Sequence, residues 1–334
     1  MAALATTNPT ILDLSKRTDP DGSIATIIEL LNETNEILDD MSFQEGNLST
    51  GHVTTVRTGL PAPTWRKLYG GVQPTKSRTA QITDNLGMLE AYAEVDVRLA
   101  DLNGNTSEFR LSEDRPHLEG MNQELVDTLF NGNEGTRPET FTGFGPRYND
   151  LSTENGIDNI IDGGGTGVDN TSIWLVVWGP NTCFGIIPKG SQAGFRMTDK
   201  GQVTIEDVDG AGGGRMEAYR THYAWDAGLV LRDWRYVVRI ANIDKSLLTN
   251  DLSGGADIVD LLTQAVEIPP NLNMGRPVIY VNKTIRTMMR RQIVNKVASS
   301  TLTMDEVAGR KVVHFDGIPV RRVDALAADE AQIV

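Results

Sequence analysis

The chain has 334 residues, 39% of them hydrophobic, with 45 acidic against 31 basic side chains and a net charge of −14. That apolar share is enough to bury a core, which excludes general disorder, and the acidic balance disfavours sequence-independent nucleic-acid binding through a basic surface. A single cysteine, Cys183, excludes an internal disulfide framework and fits a reducing compartment; residues 1–14 lack a signal-peptide pattern, and the longest apolar run, 173–178, is far too short to span a bilayer.

Charge is distributed unevenly along the chain. Residues 1–45 hold two basic side chains, Lys16 and Arg17, against nine acidic ones, whereas residues 46–82 hold five basic ones and no acid. Up to Asp21 the chain has no clear period. From Ser23, a candidate N-cap, Ile24, Ile27, Ile28 and Leu31 recur at helical spacing, with Ile37 and Leu38 beyond. Residues 1–45 therefore read as an acidic arm with one sticky face. Residues 46–82 read as two extended limbs, 52–58 and 73–82, separated by Pro61, Pro63, Gly70 and Gly71. Such a polar loop has too little core to order itself.

Helix and strand are hard to separate over 91–99. After Pro116 the spacing of Met121, Leu125, Val126 and Leu129 predicts a helix over about 116–132, stopped at Asn131-Gly132. Residues 131–170 read as loop-rich. The block 171–244 is β-rich, with strands expected over 172–179, 182–188, 202–207, 219–226 and 228–240. Helices over 258–266 and 284–297 follow, with a buried strand over 278–281 between them and extended pieces over 311–315 and 319–323. No repeat is visible, and the class is α+β.

The search for catalytic or metal chemistry returns little. The glycine runs 163–167 and 210–214 lack the flanking strand, helix and Lys-Ser/Thr pair of a phosphate loop, and read as connections. Asp101, Asn103 and Asn105 imitate the start of a calcium loop, yet Thr106 stands where the sharp turn needs glycine and Ser112 where the bidentate glutamate belongs. His52, His117, His222 and His314 lack zinc spacing, and Cys183 reads as a small buried hydrophobe. No nucleophile elbow occurs. The expectation is a chain without catalytic residues, metal or cofactor.

Four stretches carry a family resemblance: SIWLVVWGPNTCFGIIPKGSQAGF at 172–195, YAWDAGLVLRDWRYVVRIANID at 223–244, PVIYVNKTIRTMMRR at 277–291 and VVHFDGIPVRRVDAL at 312–326. In order and spacing they resemble the major capsid proteins of short-tailed, epsilon-fifteen-like bacteriophages. The resemblance implies the tailed-phage capsid (Johnson) fold, and with it an N-terminal arm at 1–45, an extended β-hairpin loop at 46–82 and a peripheral domain at 83–170 with a long spine helix near 116–132. An axial domain at 245–334 would complete it. The β-rich block 171–244 is left open between the peripheral and axial domains, and the long β tail familiar in the family is nearly absent after Leu326. The implied function is a structural subunit that self-assembles, as hexamers and pentamers, into an icosahedral head around double-stranded DNA, without sequence-specific DNA binding or membrane contact. Assembly in the host cytoplasm would involve a separately encoded scaffolding protein, a portal and possible decoration proteins.

Arg57, Arg66, Lys67, Lys76 and Arg78 on the loop and Ile24, Ile27, Ile28 and Leu31 on the arm are the candidate inter-subunit contacts, the loop finding acid on a neighbour, its arm being one candidate. No motif marks Lys67 or Lys76 as a reactive cross-linking lysine. The competing readings are an encapsulin-type nanocompartment shell, a phage tail or receptor-binding β protein, and a β-rich enzyme.

Overall fold

The computed structural model describes residues 35–102, 106–152, 158–190, 194–206, 214–248, 255–294, 302–307 and 310–334. The candidate arm contacts Ile24, Ile27, Ile28 and Leu31, and the residues 103–105 and 210–213 singled out above, lie outside them. In chain order the elements are α1 (Ile37–Asp40), β1 (Phe43–Glu45), β2 (Gly51–Gly59), β3 (Arg78–Asn85), β4 (Gly87–Asp96), α2 (Val97–Asp101) and α3 (Thr106–Asn131). Then come β5 (Ile160–Asp162), β6 (Asn170–Trp178), β7 (Cys183–Ile187), β8 (Phe195–Glu206), β9 (Arg215–Leu231) and β10 (Val237–Asp244). The last third holds α4 (Ile258–Glu267), β11 (Arg276–Val281), α5 (Lys283–Val294), β12 (Leu302–Val307), β13 (Arg310–Phe315) and β14 (Ile318–Arg322).

The described residues divide into two compact units, those within 88–125 and 194–226 in one and those within 35–87, 126–190 and 227–334 in the other. The described part of 194–226 groups with 88–125, and β6, β7 and β10 group with the C-terminal residues.

The larger unit is built around β6, in which every residue is buried. A strand buried on both faces reads as a continuous apolar run, as Ile173–Trp178 does. It pairs antiparallel with β10 on one side (Val238↔Leu175, Arg239↔Trp174) and with β11 on the other (Ile279↔Leu175, Tyr280↔Trp174). The parallel β11/β14 pair and the antiparallel β12/β13 pair extend the sheet. Side chains alternate across a strand, so β6 supplies two cores. Ile173 and Leu175 join Leu262 and Ile258 of α4 and Ile285 and Met289 of α5. Trp174 and Trp178 instead meet an aromatic layer, Phe144 lying 5.7 Å from Trp174 and 6.1 Å from Trp178 between ring centres.

In the smaller unit the β8/β9 hairpin and β4 pack with the first part of α3. Val95, Leu99, Ala100 and Phe109 form one cluster and Ala93, Met121 and Tyr223 another. Ion pairs stitch its surface, with Arg220 2.6 Å from Glu94 and Arg110 2.8 Å from Asp199. The Arg110 guanidinium holds the Asp199 carboxyl below the usual range.

Two elements differ from the sequence expectation. The helix expected from Pro116 starts ten residues earlier, at Thr106, and runs through Pro116. Proline removes one backbone donor but does not end the helix, because buried Phe109 before it and Met121 and Leu125 after it hold both sides in place. Its end agrees with the Asn131-Gly132 stop: Gly132 N–H donates to the Thr128 carbonyl, and a Cβ at Gly132 would come within 2.6 Å of the Phe141 carbonyl. The strand expected over 228–240 is broken by a 3-10 turn at Trp234–Tyr236, where the Asp233 side chain accepts from Arg235 N–H. β9 thereby pairs with β7, and β10 leaves to pair with β6.

The last residues form a strap over this core, anchored by Arg239. Its guanidinium is buried 4.9 Å over the Trp174 ring and donates to the Tyr148 carbonyl, Ser172 Oγ and Glu330 Oε2. Burial pulls the Arg239 pKa down and Glu330 opposes that shift. Glu330→Ala, which leaves a buried guanidinium unpaired, is expected to lower the unfolding free energy of the unassembled subunit by about 3 kcal/mol, checked by urea denaturation.

Candidate inter-subunit surfaces

The loop expected over 46–82 is a β-hairpin with a fastened root and a bare tip. β2 and β3 pair antiparallel from Gly51↔Asn85 to Gly59↔Arg78, with a bulge between Arg57 and Gly59. At the root the Asn47 side chain donates to the Val53 carbonyl and accepts from its N–H, both at 2.8 Å. Asp84 is buried against Arg147 at 2.8 Å, and His52 meets the Phe184 ring edge-on. Burial and the nearby Arg232 lower the His52 pKa. Beyond Gly59, residues 60–77 form neither strand nor helix.

All five predicted cations, Arg66, Lys67 and Lys76 in the tip and Arg57 and Arg78 at the strand ends beside it, are exposed, and the segment holds no acid to pair with them. The hairpin brings them onto one projection. The tip is also apolar in a way the sequence reading did not single out: Trp65 and Tyr69 are fully exposed, and Leu60 and Leu68 nearly so. Tyr69 has a φ of 62°, a left-handed conformation uncommon for a bulky residue, within a turn closed by Gly70 N–H to the Lys67 carbonyl. Large exposed aromatics flanked by cations mark a surface that another molecule covers. The run Trp65-Arg66-Lys67-Leu68-Tyr69 between Pro63 and Gly70 was the available sign.

The described end of the expected arm is not free. Residues 35–45 are packed into the larger unit. Ile37 is fully buried, and Asn35 forms a bridge with Val323. Strand β1 adds in parallel to β7, where Met41 and Phe43 pack so tightly on Gly185 that a Cβ there would lie 2.4 Å from the Met41 methyl. Asp40, whose side chain is 0% exposed, lies 2.7 Å from Arg276 and 3.3 Å from Arg321. Glu36 lies 3.3 Å from Arg286 and 3.5 Å from Arg321. Trp178 Nε1 donates to Tyr280 Oη, which in turn donates to Asp40 Oδ2. Burial pushes the Asp40 carboxyl above its ordinary value despite Arg321 and Arg276, and Tyr280 is raised by its own burial and by Asp40.

Other candidates stay quiet. Cys183 is buried, and burial pushes its thiol up, away from the reactive thiolate. Among the described residues no group of three or more His, Cys, Asp or Glu side chains could hold a metal ion, and no described helix is long and apolar enough to cross a membrane.

A hairpin with an exposed tip and a buried sheet covered by helices match a known set of proteins. The family model "Major capsid protein GP7" matches residues 19–334. The chain belongs to this family of major capsid proteins. It aligns with the bacteriophage Epsilon15 structure at 37% identity over 100% of both chains, with a TM-score of 0.80. The capsid protein is thus that of a tailed phage and has the tailed-phage capsid fold. Smaller likenesses are to the bacteriophage JBD30 capsid (10% identity, 89% of this chain and 92% of that one, TM-score 0.47) and to the SrpI encapsulin of Synechococcus elongatus PCC 7942 (10%, 66% and 91%, TM-score 0.44). No curated protein matches. Capsid homologues form shells of self-assembled subunits, and the capsid protein is a component of a virion.

Two measurements probe the arm root. Arg321→Ala is expected to destabilise the capsid subunit by about 2 kcal/mol, less than a fully buried pair because Arg276 remains and Asp40 can take up a proton. The pH dependence has a defined sign. The Asp40 pKa is higher folded than unfolded, so its contribution is complete below the ordinary carboxylate value and is lost as pH rises through the raised value. The stability difference between wild type and Asp40→Asn should therefore move against wild type as pH rises above the ordinary carboxylate value, as read by chemical denaturation over a pH series.

Proposed function

We propose that the capsid protein builds an icosahedral head, in hexamers and pentamers, around double-stranded DNA, and that it works by association without catalysis. One observation carries this reading: a cationic, aromatic hairpin tip projects from a rooted base and holds no acid of its own. In the proposal the tip of 46–82 lies over an adjacent copy. Its cations face that copy's acidic surface, in a chain whose net charge is −14. Single exposed ion pairs contribute about 0–1 kcal/mol. Their repetition around a shell sets register and orientation. Trp65, Leu68 and Tyr69 supply the apolar burial that charge alone does not, at roughly 25 cal/mol per Å².

The same reading assigns 1–45 to an arm, 46–82 to the extended loop, 83–170 to a peripheral domain with its spine helix, and 245–334 to an axial domain, with the β-rich block 171–244 belonging to one or the other. The arm residues Ile24, Ile27, Ile28 and Leu31 would add apolar inter-subunit contacts. Assembly takes place in the host cytoplasm with a separate scaffolding protein and a portal, and a decoration protein can be added. An acidic interior repels packaged DNA and leaves it free to slide.

Arg57→Glu, Arg66→Glu and Lys76→Glu together are expected to block shell formation while leaving a folded subunit. Sedimentation and negative-stain microscopy, with circular dichroism of the subunit, read both; normal particles from this variant would overturn the electrostatic part. Trp65→Ala with Tyr69→Ala is expected to weaken assembly without lowering the subunit's thermal midpoint, since neither ring is buried in the subunit. Denaturing gels of mature shells are expected to show a single monomer band, and ladders of covalent oligomers would show that Lys67 or Lys76 is reactive after all.

A further inference from the structure

Helix α5 is basic in an acidic protein. Residues 283–294 contain Lys283, Arg286, Arg290 and Arg291 and no acid. Its apolar side is spent on the core, with Ile285 and Met289 fully buried. Lys283, Thr287, Arg290 and Arg291 are exposed. Lys283, Thr287 and Arg290 stand at i, i+4 and i+7, so they share one face of the helix, with Arg291 beside them. Among the described residues no ion pair engages Lys283, Arg290 or Arg291. The fourth cation is different. Arg286 is partly buried and faces Glu36 at 3.3 Å, at the point where the arm joins the body.

We propose that the outward basic row of α5 is a docking surface for the acidic arm of a second copy of this chain. The proposal rests on the shell-forming reading above and adds the partner of this helix to it. Charge complementarity argues for it: residues 13–33 carry Asp13, Asp19, Asp21, Glu29 and Glu33 against Lys16 and Arg17 only. The seated carboxylate argues for it as well. An acid of the arm's own composition already binds a guanidinium of this helix, which shows that the helix accepts carboxylates. Glu36 pairs with Arg286, and among the described residues the row at Lys283, Arg290 and Arg291 is exposed and without an ion pair. Each copy offers one such row and one such arm, so the contact can repeat at every equivalent position of a closed shell. DNA is the less suitable occupant, because the net charge of −14 repels it.

A charge-swap experiment on the full chain tests the contact. Lys283→Glu, Arg290→Glu and Arg291→Glu together are expected to cut the assembled fraction about tenfold, and Asp19→Lys, Asp21→Lys, Glu29→Lys and Glu33→Lys together are expected to do the same. Combining the two sets should restore shells, scored by sedimentation and negative-stain microscopy. The neutral set Lys283→Gln, Arg290→Gln and Arg291→Gln should weaken assembly less, and more at low salt than at high salt. The thermal midpoint of the unassembled subunit should not change in any α5 variant. A lowered midpoint would show that the row is covered by its own chain and would overturn the second-copy assignment. A combined variant no better than either parent would overturn the arm as occupant, and loss of packaged DNA from otherwise normal shells would assign the row to nucleic acid. Normal shells from the α5 reversal would end the proposal while leaving the capsid function intact.

Discussion

The rest of the larger unit depends on the complete burial of β6. A strand with no exposed residue needs a cover on each face, and the chain supplies two different ones. Helices α4 and α5 close one side with aliphatic side chains, while Phe130, Phe144 and Tyr148 close the other around Trp174 and Trp178. The polar features follow from that core. Arg239 is buried because it lies over Trp174, and its unsatisfied charge recruits Glu330 and so ties down the last residues. Trp178 reaches Tyr280, and Tyr280 reaches Asp40, so the arm begins at a fixed point on the core.

That organisation separates what the subunit can do alone from what needs copies of itself. The hairpin root is fastened by Asn47, Asp84 and Arg147, and the arm root by Glu36 and Asp40. The hairpin then leads to a tip that the described chain does not cover. A rigid root with an exposed tip delivers a side chain such as Trp65 to a defined place at small entropic cost, because the reach of the hairpin is already ordered. Assembly energy can then come from apolar contact at the tips, while charge selects which surfaces meet.

Much of the fold was legible in the sequence, for identifiable reasons. The continuous run in β6, the helical spacing of Ile258, Leu261, Leu262 and Ala265, and the proline- and glycine-interrupted limbs of the hairpin are local patterns that burial enforces. The helix start was misplaced because a proline reads locally as a boundary, whereas the packing of Phe109 that carries α3 past Pro116 is not local. The five loop cations were legible as a run without acid. The aromatic tip was visible in the same run and went unused, because exposed aromatics look like core residues until burial is known.

By its residue order alone this chain determined its class, most of its strands and helices, the basic loop and the acid-rich beginning, since those rest on periodicity and on charge within short windows. Only the tertiary structure decided that Asp40 is a buried partner of Arg276 and Arg321 and that Arg239 serves Glu330. It also decided that Lys283, Arg290 and Arg291 of α5 lie exposed among the described residues. These pairs are separated by tens to hundreds of residues, and no local pattern records them. Whether a charge lies in water or against a core is settled by what folds over it, and that depends on the whole chain at once.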